Sequence, residues 1–543
     1  MITDILEKNA RLYGSEVALV ELNPSDAHDS AKTWREFNLI ERSLGGKYRR
    51  DMTWRNFDRR ANRFANLLLS RGVKKGDKIA ILLMNCLEWL PVYFGILKAG
   101  AIAVPMNYRY TGAEIAYCLD LADVDMLVFG DEFIDRLAPI AKGENRLKAF
   151  FHIGNGCADF AEPYETYTSY CSTQPPAVHL TEDDDAAIYF SSGTTGFPKA
   201  ILHSHKALES ACLVEQNHHG QTRDDVFLCI PPLYHTGAKM HWFGSLLAGS
   251  RAVLLRGVKP EWILRAISEE NATIVWLLVP WAQDILDAID AGEVNPDDYK
   301  LDQWRLMHIG AQPVPPSLIR RWREHFPHHQ YDTNYGLSES IGPGCVHLGV
   351  ENIDHVGAIG RAGYLWETKV LSPDGKETAV DEVGELAVKG PGVMRCYYKN
   401  PEATAEVLRG EWLMTGDMAR RDEDGFLYLV DRKKDVVISG GENIYPVQIE
   451  DYLRAHSAIK DVAVIGVPDE RLGEVTAAII EFRDGCTASE EEIRAFCADL
   501  PKYKRPRMII FDKIPRNPTG KIEKPVLRER YGGGRLVEAQ TTK

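Results

Sequence analysis

The chain has 543 residues, 45% hydrophobic and 26% charged, long enough to bury several cores and too long for one ordinary domain, so at least two are expected. Its formal charge of −14, from 64 basic and 78 acidic residues, would repel a phosphate backbone, and no Lys/Arg block offsets it locally, which argues against nucleic acid as a partner. No charged-then-apolar leader opens the chain, and the most apolar stretch, Ile79 to Met106, is broken by Asn85, Glu88, Pro91 and Lys98, so no membrane span is expected.

The 10 cysteines are scattered without a CxxC pair, a pattern that suits buried thiols in a reducing cytoplasm better than a disulfide scaffold. A cytoplasmic protein, monomeric or homodimeric, is expected. Asn23 to Arg50 shows no period and reads as an inserted loop or arm. Thr53 then caps a predicted helix with Phe57, Ala61, Phe64 and Leu68 on one face, closed by Gly72. The apolar run Ile79 to Met84, a second helix ending near Gly100, and the run Ala101 to Val104 make a strand, helix and strand, the signature of a parallel sheet. The fold class is α/β.

Farther along, Gly384 to Val388, Val393 to Tyr398 and Phe426 to Val430 are short runs separated by Gly, Pro and Asp-Gly turn signals, which predicts antiparallel strands. The charge cluster Asp431 to Asp435 follows, and then a smaller α+β unit with a strand at Val462 to Val467 and a helix opened by a Ser489/Glu492 capping box. The domains expected are therefore 1–431 and 432–543. The tail after Tyr531 reads as frayed.

Directly after the strand-like Ala186 to Phe190 come Ser191, Ser192, Gly193, Thr194, Thr195, Gly196, Phe197, Pro198 and Lys199. Glycines let a backbone approach phosphate oxygens, hydroxyls donate hydrogen bonds to them, and Lys199 adds positive charge. The spacing is not the Walker pattern, and Ala200 follows the lysine. Taken alone, such a run is more often a flexible loop.

The segment closely resembles the phosphate-loop motif of the adenylate-forming superfamily, which includes acyl-CoA synthetases, adenylation domains of peptide synthetases and beetle luciferases. Further motifs follow in the family's order: Pro231 to Gly237, Gly310-Ala311-Gln312-Pro313, Tyr335 to Glu339, Thr415-Gly416-Asp417, Asp431 to Asp435, Gly440 to Asn443, and Pro515 to Lys521. The resemblance runs from about residue 54 to 530. It implies a large N-terminal domain of α/β sheets with a small β-barrel-like subdomain, and a small mobile α+β C-terminal domain.

The resemblance also implies roles. Gly310, Ala311 and Gln312 would contact adenine and Tyr335 would stack on it, with Asn334 and Gly336 beside the nucleotide. Asp417 would accept from the ribose hydroxyls with Arg432 as a second ribose contact, and Ser338, in place of the usual Thr, would reach phosphate. Glu339 would be the Mg²⁺ ligand. Lys521 would sit between the carboxylate nucleophile and the α-phosphate of ATP, offsetting charge as they react. Lys434 matches a hinge about which the small domain turns, bringing Gly440, Gly441 and Glu442 to a coenzyme A tunnel.

His235 falls where the family places an aromatic gate beside the acyl carbonyl. Acetate-specific members carry Trp where this chain has Gly336, so an acid larger than acetate is expected: medium-chain, alicyclic or aromatic. The pocket candidates are Gly237, Ala238, Lys239, Met240, Trp242, Ile341 and Val346, together with His235 and Gly310, and Lys239 could clamp a second carboxylate. The small-molecule partners implied are that acid, ATP/AMP and CoA. A stand-alone enzyme loading a separate carrier protein, or a non-catalytic nucleotide-binding protein, are the alternatives. His203, His205, His218, His219, His328 and His329 have no Cys or carboxylate at ligand spacing and read as surface histidines.

Overall fold

A computed structural model describes residues 1–24, 48–154, 156–191, 198–310, 314–352, 354–355, 357–439, 442–516 and 522–532. The Thr53 side chain accepts from the Asn56 N–H at 3.3 Å and starts the helix Trp54–Ser70, which buries Phe57, Ala61, Phe64 and Leu68. Gly72, at φ +81°, turns the chain out of it. The strand Lys78–Leu82 then pairs in parallel with Ile102–Pro105 across the helix Trp89–Lys98, all of whose residues are buried. That helix is apolar on nearly every side because it runs through a core; its one charge, the Lys98 ammonium, is held by Glu7 at 2.6 Å and Asp58 at 2.8 Å.

These strands belong to an eight-stranded sheet that packs against a nine-stranded one. In the nine-stranded sheet Leu306–Gly310 and Gln330–Leu337 run parallel, and Gly342–His347 returns antiparallel to the latter. Its edge strand, Arg49–Thr53, pairs with Val17–Leu22, so the far end of the expected arm is ordered into the sheet. Residues 25–47 of that arm lie outside the described residues.

A five-stranded sheet contains Gly384–Lys389, Trp412–Arg421 and Leu427–Arg432, two of them at the expected runs. The expected strand Val393 to Tyr398 differs: only Cys396–Tyr397 pairs, and it pairs with Lys199–Ser204 of the eight-stranded sheet. It extends the eight-stranded sheet at its edge instead of joining the five-stranded one. The chain leaves the five-stranded sheet after Arg432 and enters a second five-stranded sheet at Val437–Ser439. This C-terminal unit has its own core around Ile449, Val462, Val464, Ile480 and Ile493. Its capping box is formed, with Ser489 Oγ accepting from Glu492 N at 3.2 Å and Glu492 accepting from Ser489 N at 2.7 Å. All ten cysteines are free, and six of them are buried. Among the described residues no helix is long and apolar enough to cross a membrane.

Candidate active site

Strand ends of the N-terminal sheets and the C-terminal unit enclose a cavity of about 1230 Å³. Ser191 and Lys199 stand opposite each other in the register of one antiparallel pair and both line it. They bracket Ser192, Gly193, Thr194, Thr195 and Gly196, which lie outside the described residues, as do Ala311, Gln312, Gly440, Gly441 and Lys521. Ile522, the neighbour of Lys521, is on the cavity wall.

On one wall the Tyr335 hydroxyl donates to Asp417 Oδ2 at 2.6 Å, and Arg432 Nε lies 3.0 Å from Asp417 Oδ1. Strand register explains the meeting, because Asp417 and Arg432 are direct cross-strand partners. Burial, reinforced by the Asp417 carboxylate, pushes the Tyr335 phenol well above its ordinary range, so it stays a donor. Asn334 also lines the cavity, and its Nδ2 has no hydrogen-bond partner among the described residues. Gly310 ends the adjacent strand, where an added Cβ would lie 3.4 Å from Asn334 Oδ1.

Glu339 sits on the short turn after Leu337, with Gly336 and Ser338 on the same wall. Its Oε1 accepts from the Tyr397 hydroxyl at 2.8 Å, and the Lys199 ammonium lies 4.6 Å over the Tyr397 ring. Sequence reasoning missed Tyr397, since it fell inside a run read as an ordinary strand. It also missed Asn85, which donates to Pro231 O at 3.0 Å and accepts from Leu233 N at 2.8 Å, pinning the Pro231 to Gly237 segment. His235 caps the helix Thr236–Ala248, its Nδ1 accepting from Gly237 N at 3.2 Å. Gly237 is required there, because a Cβ would come 2.7 Å from the Trp276 ring that closes the pocket. Lys434 is exposed on the connection to the C-terminal unit and lines the cavity. Glu442 opens the strand Glu442–Ile444.

The remaining pocket candidates divide. Lys239 is completely buried, its ammonium 4.2, 5.0 and 5.4 Å from the ring centres of Tyr189, Tyr93 and Trp89. Trp242 instead packs on Phe57 and Phe94, Ala238 joins the same core, Ile341 is buried in a left-handed turn at φ +62°, and Val346 is enclosed by the core of the five-stranded sheet. None of these four, nor Lys239, is on the cavity wall, because the helix that carries three of the five is buried on several sides. Met240 is on the same helix.

The histidines expected on the surface are a correction. His203, His205 and His219 are buried, and His203 Nε2 lies 2.8 Å from Ser338 O, supporting the Glu339 turn. Burial pushes His203 and His205 down to about 4, so both are neutral.

Two family models match the chain: "AMP-binding enzyme" over residues 27–398 and "AMP-binding enzyme C-terminal domain" over 448–521. The chain therefore belongs to the AMP-binding enzyme family, and it is an acid–thiol ligase. It is 32% identical over 484 residues to the long-chain-fatty-acid–CoA ligase FadD13 of Mycobacterium tuberculosis, covering 88% of this chain and 93% of that protein. Feruloyl-CoA synthase of an Amycolatopsis species is also 32% identical, over 485 residues, 89% of this chain and 94% of that one. Among solved structures, the anthranilate CoA ligase AuaEII in complex with anthranoyl-AMP superposes with a TM-score of 0.86 at 26% identity, covering 97% of this chain and 96% of that one.

Proposed function

We propose that this CoA ligase acts on a carboxylic acid larger than acetate whose far end carries an oxygen acceptor, and that Lys239 recognises that acceptor. In the first step a carboxylate oxygen attacks the α-phosphorus of ATP, the bond to pyrophosphate breaks, and an acyl-adenylate forms. In the second the CoA thiolate attacks the acyl carbonyl and AMP leaves.

The wall residues support this division of labour. Tyr335 offers a flat face to adenine while its hydroxyl fixes Asp417, whose carboxylate is aimed to accept from the ribose beside Arg432. Ser191 and Lys199 face the phosphates. The Glu339 carboxylate, one oxygen fixed by Tyr397, suits a hard cation, and Mg²⁺ bound there would neutralise phosphate charge. His235 has its Nδ1 committed to a backbone N–H, which fits a positioned gate better than a general base. On the C-terminal unit, Ile522, Glu523 and Lys524 line the cavity while Asn443 and Ile444 do not. This supports an adenylate-forming arrangement, with a turn about Lys434 needed before the thioester step.

The observation that carries the substrate reading is the Lys239 amine. It is enclosed in an aromatic box, has no hydrogen-bond partner among the described residues, and burial drives it well below the ordinary lysine range. One box wall, Tyr189, is also cavity wall. Coupled pyrophosphate and CoA-thioester assays on simple alkanoates, ω-oxo acids and dicarboxylic acids test this. Lys239→Met is expected to lower kcat/KM about 10- to 100-fold for dicarboxylic acids, the worth of one hydrogen bond to a charged group, about 3- to 10-fold for ω-oxo acids, and to leave alkanoates within about 2-fold. An equal loss on every acid would remove Lys239 from recognition. Absence of acid-dependent pyrophosphate release from the unaltered enzyme would overturn the ligase reading itself.

A further inference from the structure

The strand Gln330–Leu337 presents Asn334 and Tyr335 to the cavity, but Asp332 points into the protein and is completely buried. Three histidines from separate elements converge on it: His219 from the helix His205–His219, His308 from Leu306–Gly310, and His347 from Gly342–His347. Asp332 Oδ2 is 3.3 Å from His219 Nε2, 3.4 Å from His308 Nδ1 and 3.3 Å from His347 Nδ1, while His219 Nε2 and His308 Nδ1 are 3.0 Å apart. The donor atoms of His219, Asp332 and His347 all lie within 4.8 Å of one another.

His219 Nε2 and His347 Nδ1 each lie 3.3 Å from Asp332 Oδ2, and His308 Nδ1 shares a hydrogen bond with His219 Nε2 at 3.0 Å. Tetrahedral coordination with metal–ligand distances of about 2.0–2.1 Å has ligand-to-ligand edges of about 3.3–3.4 Å, close to the two spacings on Asp332 Oδ2.

The surroundings complete the pattern. Asp332 Oδ1 accepts from Gly349 N at 3.0 Å, leaving Oδ2 for the centre. Glu215, one turn before His219 and fully buried, places Oε2 3.6 Å from His219 Nδ1 and Oε1 3.9 Å from His347 Nε2. A second carboxylate behind two ring nitrogens is the outer arrangement that orients histidine ligands. Imidazole-rich donors select Zn²⁺ over Mg²⁺ or Ca²⁺, which take oxygen.

We propose that His219, His347 and Asp332 hold a buried zinc ion, with His308 beside them, and that the ion fastens the strand behind the cavity to its neighbours. Its role is structural: every ligand is buried and none is on the cavity wall. The ion would clamp the strand whose end carries Asn334, Tyr335 and the Glu339 turn.

The full-length protein, tag removed, is grown with added Zn²⁺, desalted and assayed by inductively coupled plasma mass spectrometry. About one zinc per chain is expected. Asp332→Asn and His347→Gln should each lose it, while the exposed His328→Gln control keeps it. X-ray absorption on the unaltered protein, which does not depend on the variants folding, should show nitrogen and oxygen neighbours at about 2.0 Å with the scattering of two imidazoles behind them. A six-coordinate or imidazole-poor shell would overturn the site. So would zinc retained in both variants, or unaltered protein without stoichiometric zinc whose thermal midpoint is unmoved when Zn²⁺ alone is added after chelator dialysis.

Discussion

On the nucleotide side of the cavity, Asp417 is already engaged at both oxygens, by the Tyr335 hydroxyl at 2.6 Å and by Arg432 at 3.0 Å. On the acyl side, Lys239 meets aromatic rings and has no hydrogen-bond partner among the described residues. The Tyr335, Asp417 and Arg432 contacts are preorganised by strand register, so on the proposed reading ATP would find its partners in place and little ordering would be left for binding to supply. Behind Tyr189, the Lys239 amine proposed above to recognise the acid would be completed by a substrate acceptor, and discrimination between acids would arise there, since a buried donor left unpaired penalises the wrong one.

The largest expected effect lies on the nucleotide side. Lys521→Ala should slow acid-dependent pyrophosphate release by roughly 10²–10³-fold or more, the scale for removing a group that offsets developing charge, while thiolysis of supplied acyl-adenylate proceeds. Equal loss of both half-reactions would break the assignment. A smaller effect is expected on the acyl side. Gly237→Ala drives a methyl toward Trp276, and overpacking of about 1–3 kcal/mol should raise KM for the acid about 5- to 100-fold while KM for ATP stays within about 2-fold. A parallel rise in both constants would show that the two walls are not separable.

The smallest effect concerns the scaffold under both walls. Burial holds His203, His205 and His329 near 4, below the usual 6.5, so the unfolded chain takes up protons first. Their contribution to stability is full above pH 6.5 and is lost as the pH falls toward 4. The thermal midpoint should decline across that window, and a flat profile would contradict neutral, buried imidazoles.

Local signals carried much of the fold. The Thr53 cap, the parallel strands around the helix Trp89–Lys98 and the Ser489 box were legible because each depends on residues a few positions apart. The placements of Trp242 and Val346 were not, since an apolar segment buried on several sides carries no period telling which face meets a pocket. The histidine cluster was hidden for another reason. His219 lies 3.3 Å from Asp332 through the pairing of distant strands and a helix, and ligand spacing along the chain cannot show a site assembled across four elements. Tyr397 was obscured likewise, because its bond to Glu339 depends on a two-residue strand that joins another sheet.

The ion pair between Arg483 of the C-terminal unit and Asp287 of the large domain, at 2.8 Å, has a consequence for turnover. Both side chains are more than a third exposed, and Asp287 is shared with Arg321 at 2.7 Å. Such a contact is worth at most about 1 kcal/mol, so breaking it changes the ratio of docked to undocked units by no more than about fivefold. For the turn about Lys434 proposed above, this would be a latch weak enough to be released in every cycle. Added salt, by screening it, should shift the resting population without touching the chemistry.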